Sequence, residues 1–204
     1  HGWILSDDKK MSKSLGNILD PIGIIKDYGI DQLRYYLIKE VSLGNDGNVS
    51  LANLKNCINN DLANNYGNLC QRVFTFLSKN CESKIPSFEN FSQEDEKLFN
   101  NLVNKIPELM NMMDNQNLNL YMKNVINFSF ESNKYFNDSE PWSLKKDKPQ
   151  RMNTILYVIL NQIKSISILL NPVIPISTDK VLNSIGIDQN NRTLEVAKNH
   201  KFLK

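Results

Sequence analysis

Apolar residues recur at three- and four-residue spacings over most of the chain beyond residue 50, a pattern that predicts amphipathic helices. The first long helix begins at Ser50, and further helices span about residues 92–113, 117–137 and 149–170, with a short fifth helix ending near Ile185. Long helices with short joins are typical of an α-helical bundle. The first helix is expected to bury a stripe made of Leu51, Leu54, Ile58, Leu62, Tyr66, Leu69, Val73 and Phe76 or Leu77.

The N-terminal part follows a different pattern. A short apolar run at residues 1–6 predicts a strand, residues 7–17 predict a polar loop, and Asp20 and Asp31 predict the N-caps of two short helices. The run Gly-Asn-Asp-Gly-Asn at residues 44–48 predicts a loop and the best domain boundary. We therefore expect a mainly α fold with a small α/β segment over residues 1–48, the bundle over 49–187 and a loosely structured tail over 188–204.

Composition narrows the class of protein. With 41% apolar and 23% charged residues the chain has the make-up of an ordinary globular protein, and a net charge of +2 argues against a purely electrostatic nucleic-acid binder. Three cysteines without a Cys-x-x-Cys motif and only two histidines predict reduced thiols and no metal site. The reduced thiols lead us to expect a cytoplasmic protein, and neither a transmembrane run nor a signal peptide is evident. Because the chain opens on an apolar run without a starting methionine, we expect a piece of a longer protein.

A cluster of lysines and hydroxyls follows the apolar run. Residues 9–17 read Lys-Lys-Met-Ser-Lys-Ser-Leu-Gly-Asn, which suits a loop that grips a polyphosphate through ammonium, hydroxyl and backbone N–H groups. The Gly-x-x-x-x-Gly-Lys-Ser/Thr motif of NTPase phosphate-binding loops is absent from this stretch. No apolar anchor is evident, which is typical of a loop that closes only on its ligand. On charge alone, a solvated lysine loop remains the alternative.

Two polar features interrupt the predicted bundle. Asn68 and Arg72 are four residues apart on the first helix and so project from one face. An amide beside a guanidinium can read base edges, although an ordinary exposed Asn–Arg pair is the alternative. Trp142 stands outside the helical stripe, where it either plugs the end of the bundle or offers a platform for an unstacked base. Other polar side chains gather near the first pair, at Asn64, Asn65 and Gln71.

The order of these residues carries a resemblance. Lys10-Met11-Ser12-Lys13-Ser14 is the KMSKS signature of class I aminoacyl-tRNA synthetases, followed here by the usual Leu-Gly-Asn, and the flanks His1-Gly2-Trp3 and Asp20-Pro21 resemble the methionyl enzymes. Residues 65–72, Asn-Tyr-Gly-Asn-Leu-Cys-Gln-Arg, are similar to the Gly-Asn-Leu-x-x-Arg stretch that opens the anticodon-binding bundle of methionyl-tRNA synthetases. Pro141-Trp142 resembles a Pro-Trp pair later in that bundle. The resemblance runs from His1 to about Gly186.

The resemblance implies an enzyme that condenses methionine with ATP, with Mg²⁺ as the counter-ion of ATP. Lys13 and Lys10 would be the catalytic cations that meet the charge on the departing pyrophosphate. Together with Met11, Ser12 and Ser14, they would form the ATP-binding loop.

In the bundle, the resemblance implies that Asn68 and Arg72 hydrogen-bond bases of a CAU anticodon and that Trp142 stacks on its first base. The implied partners are tRNA(Met), methionine and ATP, with no membrane. The family's His-Ile-Gly-His signature, its nucleotide-binding sheet and the insertion where some members hold zinc have no counterpart here. We therefore expect the carboxy-terminal portion of such an enzyme, inactive by itself. The alternatives are another class Ia synthetase, such as a leucyl or cysteinyl enzyme, and a non-catalytic helical tRNA-binding module.

Overall fold

The computed structural model describes residues 2–6, 9–12, 14 and 16–199. Within them the strands are β1 (Ile4–Ser6), β2 (Lys9–Lys10) and β3 (Gly47–Val49). The helices are α1 (Pro21–Tyr28), α2 (Ile30–Glu40), α3 (Leu51–Cys57), a π-helical segment (Ile58–Gly67), α4 (Asn68–Asn80), α5 (Gln93–Asp114), α6 (Leu118–Ser139), α7 (Pro141–Leu144), α8 (Pro149–Leu170), α9 (Pro175–Ser184), a 3₁₀ turn (Gln189–Asn191) and α10 (Leu194–Lys198). The expected mainly α fold with a small α/β segment at its start is confirmed.

The small sheet has the order β2-β1-β3, with β2 antiparallel and β3 parallel to β1. The prediction of a plain loop over residues 44–48 is wrong at its end, because Gly47 and Asn48 belong to β3. A side chain at position 47 would meet the Val41 methyl carbons at 2.6 Å, so only glycine fits there. Since β3 crosses the predicted boundary between residues 48 and 49, the strand joins the two parts of the chain.

A side-chain cap explains how α1 begins, whereas α2 has none. Asp20 accepts hydrogen bonds from the backbone N–H groups of Ile22 (3.0 Å) and Gly23 (3.0 Å), as predicted, and Pro21 occupies the first helical position. The prediction that Asp31 caps α2 is wrong. Asp31 belongs to the first turn of α2, and its side chain is buried against α9. There its carboxylate accepts a hydrogen bond from the backbone N–H of Ser177 at 2.7 Å. It therefore ties α2 to α9 at the far end of the chain.

Helix α8 is the centre of the bundle. The sequence predicts one apolar stripe, but every residue from Thr154 to Leu170 is buried, because α5, α6 and α7 pack around α8 together with α9 and α10. By length and composition α8 is the one helix in the described residues that could cross a membrane, yet 94% of its most apolar stretch is buried inside the fold. Its hydrophobicity is therefore that of a core helix.

The first long helix is interrupted by the π-helical segment, which the sequence pattern did not predict. Asp61 and Asn65 are buried there, whereas the expected stripe member Leu62 is only half-buried and Leu51 is 43% exposed. The predicted stripe is therefore wrong at Leu51 and Leu62, whereas Leu54 is buried as expected and the stripe is correct from Tyr66 to Leu77.

The expectation of a loosely structured tail is wrong for residues 188–199. The 3₁₀ turn and α10 pack back on the bundle, with Ala197 buried. Polar side chains of α8 hold this backbone, since the Ser165 hydroxyl donates to the Ala197 carbonyl at 2.7 Å and the Lys164 ammonium donates to the Asn199 carbonyl. These contacts use backbone acceptors, which leave no mark in a hydrophobicity pattern. Residues 200–204 lie outside the described residues.

Candidate functional site

The lysine-rich loop begins on the small sheet. Lys9 and Lys10 form β2 and are both exposed, and the Lys10 ammonium lies 4.1 Å from the centroid of the Trp3 ring. The ring face attracts a cation and so holds this ammonium at the outer surface of the sheet. Lys13, the residue expected to be the main catalytic cation, lies outside the described residues.

Asn17 closes the loop, a role that sequence reasoning did not assign to it. Its carbonyl oxygen accepts a hydrogen bond from the Ser12 backbone N–H at 2.8 Å, and its amide donates to the Lys10 carbonyl at 3.3 Å. The hydroxyl oxygens of Ser12 and Ser14 are 3.1 Å apart. Gly16 has a φ of 64°, the left-handed conformation that a turn before asparagine needs. The Gly-Asn pair was the available signal for this turn.

Met11 differs from the other predicted ATP-binding residues. Its side chain is half-buried and packs against the hydrophobic core, together with Leu19 and Leu37. The expectation that the loop lacks an apolar anchor is therefore wrong. A methionine between a lysine and a serine gave no periodic signal that could have revealed this contact.

Asn68, Arg72 and Trp142 line one cleft of about 420 Å³ between α4, the end of α6 and α7. Asn68 and Arg72 lie on one face of α4, and the turn at Glu140, with a φ of 41°, brings α7 back against this face. Five further side chains complete the lining: Gln71, Thr75, Phe76, Lys79 and Phe136. The three residues singled out in the sequence are therefore neighbours in the fold.

The aromatic and cationic groups of the cleft are held in place. The Arg72 guanidinium donates to the Asn137 side-chain oxygen at 2.6 Å and lies 5.3 Å from the centroid of the Phe136 ring. The Trp142 ring meets Phe136 edge to face, with centroids 5.9 Å apart and planes at 80°. Trp142 is 46% exposed, so it does not plug the bundle. The cleft thus combines a guanidinium with an accessible indole, whose face can stack on another planar group.

Not all of the polar residues near this stretch belong to the cleft. Asn65 is only 1% exposed, and its amide donates to the Ile126 carbonyl at 3.3 Å while its side-chain oxygen accepts from Asn133 at 3.0 Å. It joins the π segment to α6. Gln71, in contrast, is exposed and lines the cleft.

Comparison with known proteins identifies the family. Residues 85–204 match the model described as the anticodon binding domain of methionyl tRNA ligase, and residues 1–74 match the model described as tRNA synthetases class I (M). The chain belongs to the methionyl-tRNA synthetase family. Methionine–tRNA ligases from Brucella suis biovar 1 and Rickettsia felis are each 38% identical to it, over 192 and 205 residues. The solved methionyl-tRNA synthetase of Mycobacterium tuberculosis in complex with methionyl-adenylate superposes with a TM-score of 0.92 at 33% identity.

The matched region is only part of these family members. It spans 94% of this chain but 37% of the Brucella enzyme and 38% of the Rickettsia enzyme. The Mycobacterium structure covers 97% of this chain, which covers 40% of that structure. Membership of the methionyl-tRNA synthetase family removes the alternative of a leucyl or cysteinyl enzyme.

In this methionyl-tRNA synthetase segment, a charged cluster around the buried Asp61 joins α2 to the π segment. The Lys39 ammonium lies 2.6 Å from Asp61 and 3.1 Å from Glu40, and the Tyr35 hydroxyl donates to Asp61 at 2.8 Å. Although burial opposes the charge on Lys39, its bonds to Asp61 and Glu40 raise the pKa of Lys39. Burial raises the pKa of the neighbouring Cys57 to about 12, so this thiol stays protonated at neutral pH. The cluster links the segment that follows the KMSKS loop to the helix that carries Asn68 and Arg72.

Proposed function

We propose that the chain is the carboxy-terminal part of a methionine–tRNA ligase, which activates methionine with ATP and transfers it to tRNA(Met). The observation that best supports this is the cleft in which Asn68, Arg72 and Trp142 meet. In it, the Asn68 amide and the Arg72 guanidinium can hydrogen-bond base edges, and the Trp142 ring can stack on a base. The KMSKS loop supplies the second half of the proposal, because its charges suit a polyphosphate.

In the proposed first step, a carboxylate oxygen of methionine attacks the α-phosphorus of ATP. The bond to the oxygen bridging the α- and β-phosphates breaks, and pyrophosphate leaves with the negative charge. Ammonium groups that are already positioned at this charge lower the barrier. We assign the main contact to Lys13 and the second contact to Lys10, which is exposed on β2. Ser12 and Ser14 donate hydrogen bonds to the remaining phosphate oxygens, and Mg²⁺ enters as the counter-ion of ATP.

In the second step, a ribose hydroxyl at the 3′ end of the tRNA attacks the methionyl carbonyl carbon and AMP leaves. The bundle acts at the opposite end of the tRNA, where the anticodon bases are unpaired and can be splayed out. We propose that the Asn68 amide and the Arg72 guanidinium hydrogen-bond bases of the CAU anticodon. Trp142 stacks on the first base.

Binding of short RNA hairpins tests the anticodon assignment on this chain directly. A hairpin with a CAU loop should bind at least about fivefold more tightly than one with a single changed anticodon base, since a good bidentate contact discriminates by about 1–3 kcal/mol. Arg72→Lys keeps the charge but loses the planar fork, so it should reduce this preference. Equal binding of both hairpins by the folded chain would overturn the assignment.

The chain by itself should not form methionyl adenylate, because it spans 37% and 38% of the two curated relatives reported above. An ATP–pyrophosphate exchange assay on the isolated chain checks this expectation, and clear activity would contradict it. The same assay on an enzyme of full family length that carries this segment should be positive. A negative result there would favour the non-catalytic tRNA-binding module.

We also propose that the protein works in the cytoplasm. All three cysteines are free thiols, and Cys57 and Cys70 are buried. Burial raises the pKa of Cys70 to about 12, so it is an unreactive core residue. Fractionation of cells that express a tagged full-length protein would test this location.

A further inference from the structure

An apolar cavity of about 250 Å³ lies beside Met11, the second residue of the KMSKS motif. Met11 lines it from the loop side, Ile4 from β1, Leu19 from the segment before α1, Leu33 from α2 and Leu54 from α3. Its volume is several times the roughly 30 Å³ that one water molecule occupies in the liquid. An apolar lining offers such a water few partners, so the cavity favours an apolar side chain.

The polar groups at the edge of the cavity are already used. Tyr36 and Ser50 line it, but the Ser50 backbone N–H donates to the Tyr36 hydroxyl at 3.1 Å. A polar side chain entering from the loop would therefore be buried without a ready partner, which is costly.

Met11 follows directly on β2, where successive side chains point to opposite faces. Lys10 is exposed with its ammonium over the Trp3 ring, whereas Met11 is half-buried against the core. A shift of one residue in this stretch would turn a lysine toward the cavity and the methionine toward solvent. The apolar contact of Met11 therefore fixes which side chains of the loop face outward.

We propose that Met11 is a positioning residue, whose thioether side chain anchors the KMSKS loop over this cavity and keeps Lys10 and Ser12 on the outer face. This inference rests on the proposed function of the loop in binding ATP. Methionine suits the role because it is unbranched and flexible, so it can fill an irregular apolar space. The anchor connects the loop to β1, α2 and α3, which all line the same cavity.

Proteolysis of the native chain tests the anchor without any ligand. Trypsin cleaves after Lys10 only when this stretch opens locally, so the cleavage rate reports how often it opens. Met11→Gln, of similar length but polar, should raise that rate about tenfold. Its amide would be buried without a hydrogen-bond partner, which destabilises the closed form of this stretch relative to the open form. Met11→Leu, which is apolar and similar in volume, should cleave like the wild type. Met113→Gln is the matched control, since Met113 is also half-buried against the core but lies in α5.

Cleavage after Lys123, an exposed lysine of α6, separates local opening from global unfolding in the same digest. The expected result is faster cleavage after Lys10 in Met11→Gln, with cleavage after Lys123 unchanged. Wild-type cleavage after Lys10 in that variant would overturn the proposal. Equal acceleration at both lysines would also overturn it, since Met11 would then hold the whole fold and not the loop.

Kinetics of a full-length enzyme that carries this segment test the link to ATP. Met11→Gln should lower kcat/KM for ATP about tenfold in ATP–pyrophosphate exchange and leave the KM for methionine unchanged. Met11→Leu, which keeps the apolar contact, should retain most of the wild-type kcat/KM for ATP. Equal losses for ATP and methionine would refute the positioning role. If the wild-type enzyme showed no exchange, the proposed function would fail, whereas the trypsin experiment would still decide whether Met11 anchors the loop.

Discussion

Replacing Trp142 with alanine should weaken RNA binding while the bundle stays folded. The indole is 46% exposed, and its described ring contact is an edge-to-face contact with Phe136 at 5.9 Å. An aromatic pair of this kind contributes about 0.5–1.5 kcal/mol, and partial exposure places its contribution here at the lower end. Stacking of a base on an aromatic side chain contributes about 1–3 kcal/mol. The variant should therefore bind a CAU hairpin about 5- to 150-fold more weakly.

The chain offers a matched control for this experiment. It has two tryptophans, and Trp3 is also exposed, at 62%, but lies beside the KMSKS loop. Trp3→Ala should leave hairpin binding unchanged, and Trp142→Phe should retain most of it because phenylalanine still offers a ring face. Anisotropy of a labelled hairpin measures the affinity, and quenching of Trp142 fluorescence in a Trp3→Phe background reports stacking directly.

One result would refute the stacking role. If Trp142→Ala is folded, with an unchanged far-UV spectrum, and binds the CAU hairpin within about twofold of wild type, then stacking of the predicted size is absent. A loss of affinity that is the same for hairpins without CAU would limit Trp142 to non-specific stacking.

Three further predictions concern the loop and the core. In a full-length enzyme, Lys13→Ala should lower the rate of adenylate formation about a hundredfold with methionine affinity nearly intact; equal loss of both in exchange kinetics would argue against a transition-state role. Asp95→Asn should destabilise the fold by about 1–3 kcal/mol in urea unfolding, because the buried carboxylate accepts from the Tyr135 hydroxyl at 2.6 Å and pairs with Arg151, whose side chain is 31% exposed. Burial opposes the charge, but the Arg151, Tyr135 and Ser92 bonds lower the pKa of Asp95. Ionised Asp95 therefore contributes its full share of the free energy of unfolding above its unfolded pKa of about 3.9, and this share is lost as the pH falls through its lower folded pKa. The free energy of unfolding of the Asp95→Asn variant should therefore depend less on pH in this acid range. Burial lowers the pKa of Lys164 to about 8. The unfolded lysine, at about 10.4, binds more protons above that pH, so the free energy of unfolding should rise from about pH 8 toward 10, and Lys164→Met should remove this rise; identical slopes would contradict it.

Much of the fold follows from the sequence because the long helices carry strong periodic patterns. The ends of α6 and α8 lie within about two residues of their predicted positions, as expected for caps and proline starts. The cap at Asp20 was readable for the same reason, since a local motif specifies it. Local signals of this kind do not depend on what the rest of the chain does.

Features that depend on distant partners were not readable. Asp31 looks like a helix cap, but its partner is a backbone N–H on α9. Residues 188–199 carry no apolar stripe, yet α8 holds their carbonyls through Lys164 and Ser165. The cleft could be predicted in part. The four-residue spacing of Asn68 and Arg72 predicts that they share a face, whereas the position of Trp142 against that face depends on the turn at Glu140.

The π-helical segment explains why the first bundle helix is so polar in sequence. The buried residues of the π segment are Asp61, Asn65 and Tyr66, and the spacing of four residues from Asp61 to Asn65 is wider than the 3.6 residues of an α-helical turn. Wide turns need the Asn68 N–H to reach the Ala63 carbonyl, five residues back. Gly67 permits this, since a side chain there would lie 2.8 Å from the Leu62 carbonyl oxygen.

The wide turns carry polar residues into the interior, where each finds a partner. Asp61 meets Lys39 and Tyr35 on α2, and Asn65 meets the Ile126 carbonyl on α6. The same helix therefore contacts the segment that follows the KMSKS loop at one end and presents Asn68 and Arg72 to the cleft at the other. Buried hydrogen bonds specify one relative position of the joined elements more narrowly than apolar contacts do. The glycine before Asn68 thus serves the geometry of the helix, and the positions of Asn68 and Arg72 depend on it.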